Sequence, residues 1–301
     1  MGGTVGRINS HTIAIVATTS YPKWYRGKLR SIKDTDKVRG DLAIEFAKAA
    51  RKIGYKVVIS DWQSPKTFRK ELSSIPEIVL IRRRSPKRSP AKREALRKAT
   101  KLPDVKVIIL TEPEKVSLVQ DCIQLIAESI LKGETDIVVP KRNEEFFKKT
   151  YPAYQYESEV EGNKTYNEEL RSHKLIGIGD NDFDMFFGPR AFSNDRKIIS
   201  LFMRRYRFSI AHASFPSWYF DAEELSNTNF FPIVSALRRG LKVKSVEVPF
   251  KYPNVQKQNE EKLEDLFLEK RKAQRIGLIV ELLHFVAYLE KYRGVRVKAS
   301  R

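Results

Sequence analysis

The feature that most constrains the fold is a series of short apolar runs, rich in β-branched residues, separated by stretches with helical spacing. Runs of this length and composition are typical of strands that are buried on both faces of a sheet. They are Ile13–Thr18, Lys56–Ser60, Ile78–Ile81, Val105–Leu110 and Asp136–Val139. Five strands alternating with helices form repeated βαβ units, so the sequence predicts an α/β (Rossmann-like) fold, a mainly parallel sheet with helices on both faces.

The pattern changes after Pro140. Tyr151–Asn167 is polar and rich in tyrosine without a sustained period, which predicts an irregular excursion, and Phe183–Phe187 is expected to be a strand. Lys242–Val248 is expected to be the final strand. The sequence from Glu260 onward has helical spacing, and its apolar piece Ile276–Leu289 is expected to pack on the core.

These patterns divide the chain into one α/β domain and a helical extension. The domain covers residues 1–255, with a nucleotide-binding half at about 10–142 and an acceptor-side half at about 143–255, and the extension with its basic tail covers 256–301. The one cysteine, Cys122, excludes an internal disulfide and a structural zinc finger. No apolar run approaches the roughly 20 residues of a membrane span, and no apolar signal follows Met1, so we expect a cytoplasmic protein.

The chain is strongly basic. Its 57 Lys and Arg outnumber its 37 Asp and Glu by 20, which attracts phosphate on a nucleotide, a nucleic acid or an anionic membrane surface. Ten of these basic residues lie in Arg82–Lys101, which contains only one acid, Glu94. This basic segment is open to three interpretations: a solvated loop and helix face, an RNA contact, or a phosphate-binding element of a ligand site.

Polar side chains come directly after the first, second and fourth predicted strands. They are Thr18, Thr19 and Ser20 after the first, Asp61 after the second, and Glu112 and Glu114 after the fourth. Ligands of open parallel sheets bind beyond the carboxyl ends of the strands. There a carboxylate can accept hydrogen bonds from a base or ribose, and two carboxylates can hold a divalent cation. Alternatively, Glu112 and Glu114 begin the next helix, where acids suit the helix dipole.

The order of these segments resembles the GT-A glycosyltransferases, in particular the family-2 and dolichyl-phosphate-mannose-synthase-like group. The segments that carry the resemblance are Val57–Asp61, Ser89–Leu96, Val107–Glu114, Ile130–Arg142, Phe187–Phe192 and Ala236–Pro249. The resemblance implies a nucleotide-sugar donor held by Thr18 and Thr19, by Asp61 at the base, and by Lys92 and Arg93 at the diphosphate. It also implies Mn²⁺ or Mg²⁺ on Glu112 and Glu114. Glu-Pro-Glu replaces the Asp-x-Asp of the family, which leaves a donor site without metal as the alternative.

The same resemblance implies an acceptor side and a catalytic base. Gly188 and Arg190 would border the acceptor, together with Asp182 and Asp184. An inverting transferase needs a carboxylate that removes the proton of the acceptor hydroxyl. The predicted bases are Asp221, Glu223 and Glu224, with the acidic cluster Asp180–Asp184 in reserve. Each cluster is also compatible with an ordinary polar loop or helix cap.

The sequence therefore predicts a nucleotide-sugar-dependent glycosyltransferase with an unspecified acceptor. The alternative is a catalytically degenerate scaffold of the same fold that binds RNA or another polyanion through the basic segment. A nucleotidyltransferase of similar fold is a third, less favoured possibility. None of the four histidines has the spacing of a metal ligand set.

Overall fold

A seven-stranded sheet forms the centre of the protein in a computed structural model, which describes residues 9–84, 86–206 and 226–291. The strand order is β3-β2-β1-β4-β6-β5-β7. Every neighbouring pair is parallel except the two made by β6. The strands are β1 (Ile13–Thr19), β2 (Lys56–Asp61), β3 (Ile78–Arg82), β4 (Val107–Leu110), β5 (Ile137–Arg142), β6 (Arg190–Ser193) and β7 (Val243–Val248).

Helices cover both faces of this sheet. The helices are α1 (Thr35–Ile53), α2 (Lys66–Ser73), α3 (Arg88–Ala99), α4 (Ile123–Leu131), α5 (Glu144–Thr150), α6 (Ala153–Ser172), α7 (Arg196–Met203), α8 (Ser226–Asn229), α9 (Phe231–Arg238), α10 (Asn254–Glu261) and α11 (Glu264–Lys291). Side chains alternate between the faces of a strand. In β1, Ile13 and Ile15 accordingly pack into a core with α1 and α4, and Ala14 and Val16 pack into a second core with α3 and α11.

The predicted fold class is confirmed: the sheet is mainly parallel, helices lie on both faces, and a helical extension comes after it. The five predicted strands of the first half and the strand at Val243–Val248 are all present. The antiparallel strand β6 was not predicted. Its register pairs Leu110 with Arg190, so the chain before β6 runs back along the chain that leaves β4.

Two local predictions in the second half are wrong. Tyr151–Asn167 is not irregular, because most of it belongs to the 20-residue helix α6. Phe183–Phe187 is not a strand but a turn-containing segment in which Phe183, Met185 and Phe187 are buried.

The helical extension packs on the main body, as expected for its apolar piece. Leu278, Leu282, Phe285 and Val286 of α11 are buried in the second core. Within the described residues, no helix is both long and apolar enough to cross a membrane.

Candidate functional site

A cavity of about 540 Å³ opens at the carboxyl ends of the parallel strands. One side, here called the sheet-edge wall, consists of residues at and just beyond the ends of β1, β2 and β4: Thr18, Thr19, Ser20, Tyr21, Trp62, Gln63 and 111–115. The strands end there in polar residues, so hydroxyl, carboxylate and ammonium groups converge at one edge of an apolar sheet. This is the place where open α/β sheets bind ligands.

Asp61 lies beneath the sheet-edge wall. It is 1% exposed, and its Oδ1 accepts hydrogen bonds from Thr19 Oγ1 at 2.7 Å and from Ser64 Oγ at 2.5 Å. Ser64 Oγ in turn accepts a hydrogen bond from the backbone N–H of Tyr21 at 3.0 Å. Asp61 therefore orients the chain that lines the cavity, and it is Thr18, Thr19 and Trp62 that reach the cavity itself.

Glu112 and Glu114 both line the cavity just beyond β4. Glu112 Oε2 lies 3.8 Å from Lys115 Nζ, and Glu114 Oε1 accepts a hydrogen bond from the Tyr21 hydroxyl at 2.9 Å. Burial alone would raise the pKa of Glu112, but the cations of Lys115, Lys92 and Arg190 outweigh it, so the pKa lies below the usual value. Burial also lowers the pKa of Lys115, an effect that Glu112 opposes.

The antiparallel strand β6 brings Gly188 against Glu112. Leu110 pairs with Arg190 in the antiparallel ladder. Glu112, two residues after Leu110, therefore lies opposite Gly188, two residues before Arg190. Gly188 has φ of +101°, and a Cβ atom built on it would stand 2.8 Å from Glu112 Oε2. The backbone conformation therefore favours glycine here, and a larger residue would also displace the carboxylate end of the Glu112 side chain.

These carboxylates do not fit a divalent metal site well. Glu112 already lies beside Lys115, with Lys92 and Arg190 acting on the same carboxylate, and Glu114 is hydrogen-bonded to Tyr21. Within the described residues, no group of three or more His, Cys, Asp or Glu side chains is arranged to hold a metal ion. Cations around a carboxylate repel a further cation. No chemical step is therefore assigned to a metal.

The basic segment contributes to the cavity through one face of α3. The helix begins at Arg88, so Arg88 and Lys92 stand one turn apart. Both line the cavity, together with Arg83, whereas Arg93 is buried outside the lining. Lys92 Nζ donates a hydrogen bond to Asn229 Oδ1 at 2.7 Å.

Asn229 connects the basic segment to the predicted acceptor side. Its Nδ2 donates to the carbonyl of Gly188 at 3.1 Å, and its own carbonyl accepts from Arg190 Nε at 2.9 Å. Arg190 is fully buried, and burial lowers its pKa to about 10. Arg190 therefore holds the chain behind the cavity, and Gly188 is the residue of this pair that lines it.

The opposite side of the cavity comes from helices. This helical wall consists of cavity-lining residues in and beside α1, α6, α10 and α11: Arg39, Tyr151, Gln155, Glu159, Tyr252, Gln256, Lys270, Arg271, Gln274 and Leu278. The extension predicted only to pack on the core thus also supplies side chains to the candidate site.

The remaining predicted site residues lie elsewhere. Asp182 is exposed and paired with Arg171 at 2.6 Å. Asp184 is buried, accepts two hydrogen bonds from the Arg142 side chain at 2.7 Å each, and does not line the cavity. The pairing with Arg142 outweighs burial and holds the pKa of Asp184 below its usual value.

The predicted catalytic bases Asp221, Glu223 and Glu224 lie outside the described residues. The reserve cluster offers no base in the cavity, because neither Asp180 nor its neighbours at 182 and 184 belong to the described lining.

Several lining residues were not predicted from the sequence. Tyr21 and Trp62 directly adjoin predicted site residues, so their position after a strand was a usable signal. Arg39, Lys270 and Arg271 carry no local signal, because long-range packing of helices brings them to the cavity.

Known proteins resemble this chain in fold only. The sequence matches no protein-family model and no curated protein. Solved structures with a similar fold include 4-diphosphocytidyl-2C-methyl-D-erythritol synthase of Anaerococcus prevotii, at 11% identity and a TM-score of 0.45, covering 87% of this chain and 100% of that one. Glucosyl-3-phosphoglycerate synthase of M. tuberculosis has 11% identity and a TM-score of 0.44, with coverages of 80% and 72%. TarS of S. aureus has 12% identity and a TM-score of 0.41, with coverages of 96% and 75%.

All three TM-scores are below 0.5, so these similarities carry no argument about the activity of this chain. The GT-A-like fold implied by the sequence agrees with the observed mainly parallel sheet. The function of the chain therefore depends on the chemistry of the residues that line the cavity.

Proposed function

We propose that the protein is a nucleotide-sugar-dependent glycosyltransferase whose donor binds in the cavity at the carboxyl edge of the sheet. The observation that carries the proposal is the charge of the lining. Outside the helical wall, the described lining residues include four Lys or Arg and two Glu, at the sheet edge where nucleotides bind in open α/β folds. The cations are Arg83, Arg88, Lys92 and Lys115.

The nucleoside end of the donor is assigned to the sheet-edge wall. Thr18 and Thr19 offer hydroxyls, and the Trp62 ring offers a flat apolar surface on which a base can stack. Asp61 is proposed to position the Thr19 hydroxyl against the base, because the Asp61 carboxylate accepts a hydrogen bond from that hydroxyl.

The diphosphate is assigned to the cations of α3 and to Lys115. Arg88 and Lys92 lie on one face of the helix, and Lys115 lies beside Glu112 on the neighbouring strand end. Arg93, also predicted here, is proposed to support this face from behind. Mn²⁺ or Mg²⁺ on Glu112 and Glu114 remains the competing proposal, and addition of metal is therefore an arm of the test.

The transfer step requires an acceptor hydroxyl and a base. The acceptor oxygen bonds to the anomeric carbon, the bond from that carbon to the diphosphate breaks, and the nucleoside diphosphate leaves. The hydroxyl proton passes to a carboxylate, for which Asp221, Glu223 and Glu224 are proposed. Three variants separate donor binding from sugar transfer: Asp221→Asn, Glu223→Gln and Glu224→Gln. The variant that lacks the base should lose transfer activity and keep its affinity for the donor.

The test is a thermal-shift screen of nucleotide sugars, each measured with EDTA and with Mn²⁺. A ligand at 100 times its dissociation constant stabilises the folded state by about 2.7 kcal/mol, which is readily measured. We expect one nucleotide class to stabilise the parent in EDTA. Stabilisation that appears only with Mn²⁺ would restore the metal site and contradict the cationic diphosphate site.

A matched pair of variants locates the binding. Lys92→Met removes a buried ammonium in the lining, and Lys98→Met removes an exposed one from the same helix. We expect Lys92→Met to weaken the best nucleotide sugar about tenfold and Lys98→Met to leave it unchanged. No nucleotide-sugar binding by the parent, together with RNA binding that both variants weaken equally, would favour the polyanion-binding alternative.

A further inference from the structure

The helical wall contains two copies of the same local arrangement. In α6 the amide Nε2 of Gln155 donates to Glu159 Oε1 at 2.7 Å, and in α10 the amide Nε2 of Gln256 donates to Glu260 Oε1 at 3.1 Å. Both pairs are four residues apart on one helix face and buried. Because each carboxylate accepts from the amide nitrogen, each amide is oriented with its oxygen away from the carboxylate.

Guanidinium groups hold these two carboxylates in place. Arg271 of α11 lies between them, 4.0 Å from Glu159 Oε1 and 3.9 Å from Glu260 Oε2. Arg39 of α1 donates to Glu260 Oε1 at 2.9 Å. Burial opposes charge on Glu260, but Arg39 and Arg271 outweigh it and hold the pKa of Glu260 below its usual value. The helical wall is therefore a rigid array of charges contributed by four helices.

The array has unused hydrogen-bonding capacity. Within the described residues, the buried Nε atoms of Arg39 and Arg271 and the buried Oε1 atoms of Gln155 and Gln256 have no hydrogen-bond partner. Buried polar atoms without a partner are costly and uncommon. Glu260 Oε2 also lacks a hydrogen-bond partner, but Arg271 at 3.9 Å balances its charge. The other atoms are two donors on cations and two amide acceptors, which is the set needed by a molecule with an anionic group and a hydroxyl.

Lys270 adds a third cation to the same place. It makes no ion pair with any carboxylate of the described residues, although it lines the cavity. Although Lys270 is exposed, desolvation of its ammonium at the cavity and the nearby cations of Arg39, Arg271 and Arg88 lower its pKa to about 8, which Glu260 opposes. An anion bound among these cations would relieve their mutual repulsion.

We propose that the helical wall is a second binding site, for a phosphate monoester that also carries a hydroxyl. Arg39, Lys270 and Arg271 bind the phosphate, and the amide oxygens of Gln155 and Gln256 accept from the hydroxyl. A dianionic phosphate suits three converging cations better than a carboxylate does. This inference rests on the proposed function, because it makes the bound molecule the acceptor of the sugar.

The test is calorimetric titration of the full chain, with the best nucleoside diphosphate saturating the donor site, or without nucleotide if none binds. The probes are inorganic phosphate, glycerol 3-phosphate, glycerate and farnesyl phosphate in detergent. We expect glycerol 3-phosphate to bind more tightly than glycerate, which lacks the phosphate, and than inorganic phosphate, which lacks the alcohol hydroxyls. Farnesyl phosphate carries no alcohol hydroxyl, so its binding alone would overturn the hydroxyl subsite and assign the phosphate to a lipid headgroup. Binding of glycerol 3-phosphate would assign the phosphate to a soluble acceptor.

Two variants of α11 keep the result interpretable if larger changes impair folding. Lys270→Gln removes the cation of the helical wall that has no ion pair among the described residues, and Lys272→Gln removes an exposed cation two residues away that contacts Glu269 at 3.5 Å. We expect Lys270→Gln to weaken phosphate-ester binding about tenfold, with nucleotide binding unchanged, and Lys272→Gln to change neither. Gln256→Leu should remove the advantage of glycerol 3-phosphate over inorganic phosphate.

The outcomes separate the two proposals. Nucleotide-sugar binding without any phosphate-ester binding, or equal effects of the two lysine variants, overturns the second site and leaves the proposed function intact. Phosphate-ester binding that depends on Lys270 in a protein that binds no nucleotide sugar overturns the proposed function and keeps the anion site.

Discussion

The two walls of the cavity satisfy their charges in different ways. At the helical wall, Glu260 Oε1 accepts hydrogen bonds from Arg39, Gln256 and Tyr252, whereas Glu260 Oε2 has no hydrogen-bond partner among the described residues and lies 3.9 Å from Arg271. In the sheet-edge wall, Glu112 Oε2 is buried without a hydrogen-bond partner among the described residues and has Lys115 at 3.8 Å. Both walls thus hold carboxylates near cations, and in the helical wall one carboxylate, that of Glu260, links α10 to both α1 and α11.

This difference arises from the elements that form each wall. A strand end supplies one or two residues at a fixed spacing, and the loop after it is free to vary. Packed helices place side chains from several parts of the chain against one another, which permits a network. We therefore expect substitutions in the helical wall and behind it to reduce stability most, and substitutions at the sheet edge to act more on ligand binding.

The largest expected effect is that of Arg142→Met, behind the helical wall. Arg142 is 2% exposed and binds both Asp184 and Glu159. Its loss leaves two buried carboxylates short of a counter-charge, so we expect about 3–5 kcal/mol lower free energy of unfolding. Urea unfolding measures this change. Lys141→Met, at an exposed position of the same strand, is the control, and equal losses for the two variants would show that the network contributes nothing.

A direct comparison of the walls is made by Glu260→Gln and Glu112→Gln. Each change removes one negative charge and keeps the side-chain shape. We expect about 3 kcal/mol lower stability for Glu260→Gln, because two partly buried guanidiniums lose the fully buried carboxylate that they share. For the partly exposed Glu112 we expect at most about 1 kcal/mol. Urea unfolding of both variants would contradict the comparison if Glu112→Gln were the more destabilising.

The two walls also differ in how far the sequence predicts them. The sheet edge was predictable, because β-branched apolar runs end in polar residues such as Thr19 and Glu112. The helix α6 was missed because its buried face carries Gln155, Glu159 and Asn167, whose polar character hides the hydrophobic period. These residues are buried because they bond to partners distant in sequence, which no local pattern reports.

The strand predicted at Phe183–Phe187, before β6, is absent for a related reason. Its alternating aromatic residues look like a strand, but Asp184 in its middle is bound by Arg142 from β5. Phe183 and Phe187 then pack into the two different cores of the sheet. The residues of the helical wall meet only when α10 and α11 pack against α1 and α6, which no local sequence pattern predicts.

A smaller effect is expected from Gly188→Ala at the sheet edge. A methyl group here has an unfavourable φ of +101° and must displace the flexible carboxylate end of Glu112, which lies 2.8 Å away, so we expect about 1–2 kcal/mol lower stability. Gly240→Ala has φ of +66° in open space, and about 1 kcal/mol is expected there. Thermal unfolding of the two variants isolates the contact with Glu112, and a smaller loss for Gly188→Ala would contradict that contact.

The smallest expected effect is the pH dependence of anion binding by the helical wall. The charged groups around Lys270 are Arg39, Arg271, Arg88 and Glu260. The lowered pKa of Lys270, about 8, means that its ammonium loses a proton in this range. Affinity for glycerol 3-phosphate should therefore fall by up to about tenfold as pH rises from 7 to 9. In Lys270→Gln the same titration should be nearly flat, and an equally steep profile would contradict the assignment.

The most direct test of one ligand site between the two walls is amide hydrogen exchange with and without the best nucleotide sugar and glycerol 3-phosphate together. We expect slower exchange in residues 19–21 and 111–115 of the sheet-edge wall and, at the same time, in residues 268–278 of α11. Protection confined to the sheet edge, or to the outer part of the basic segment at residues 97–101, would contradict a site that the two walls share.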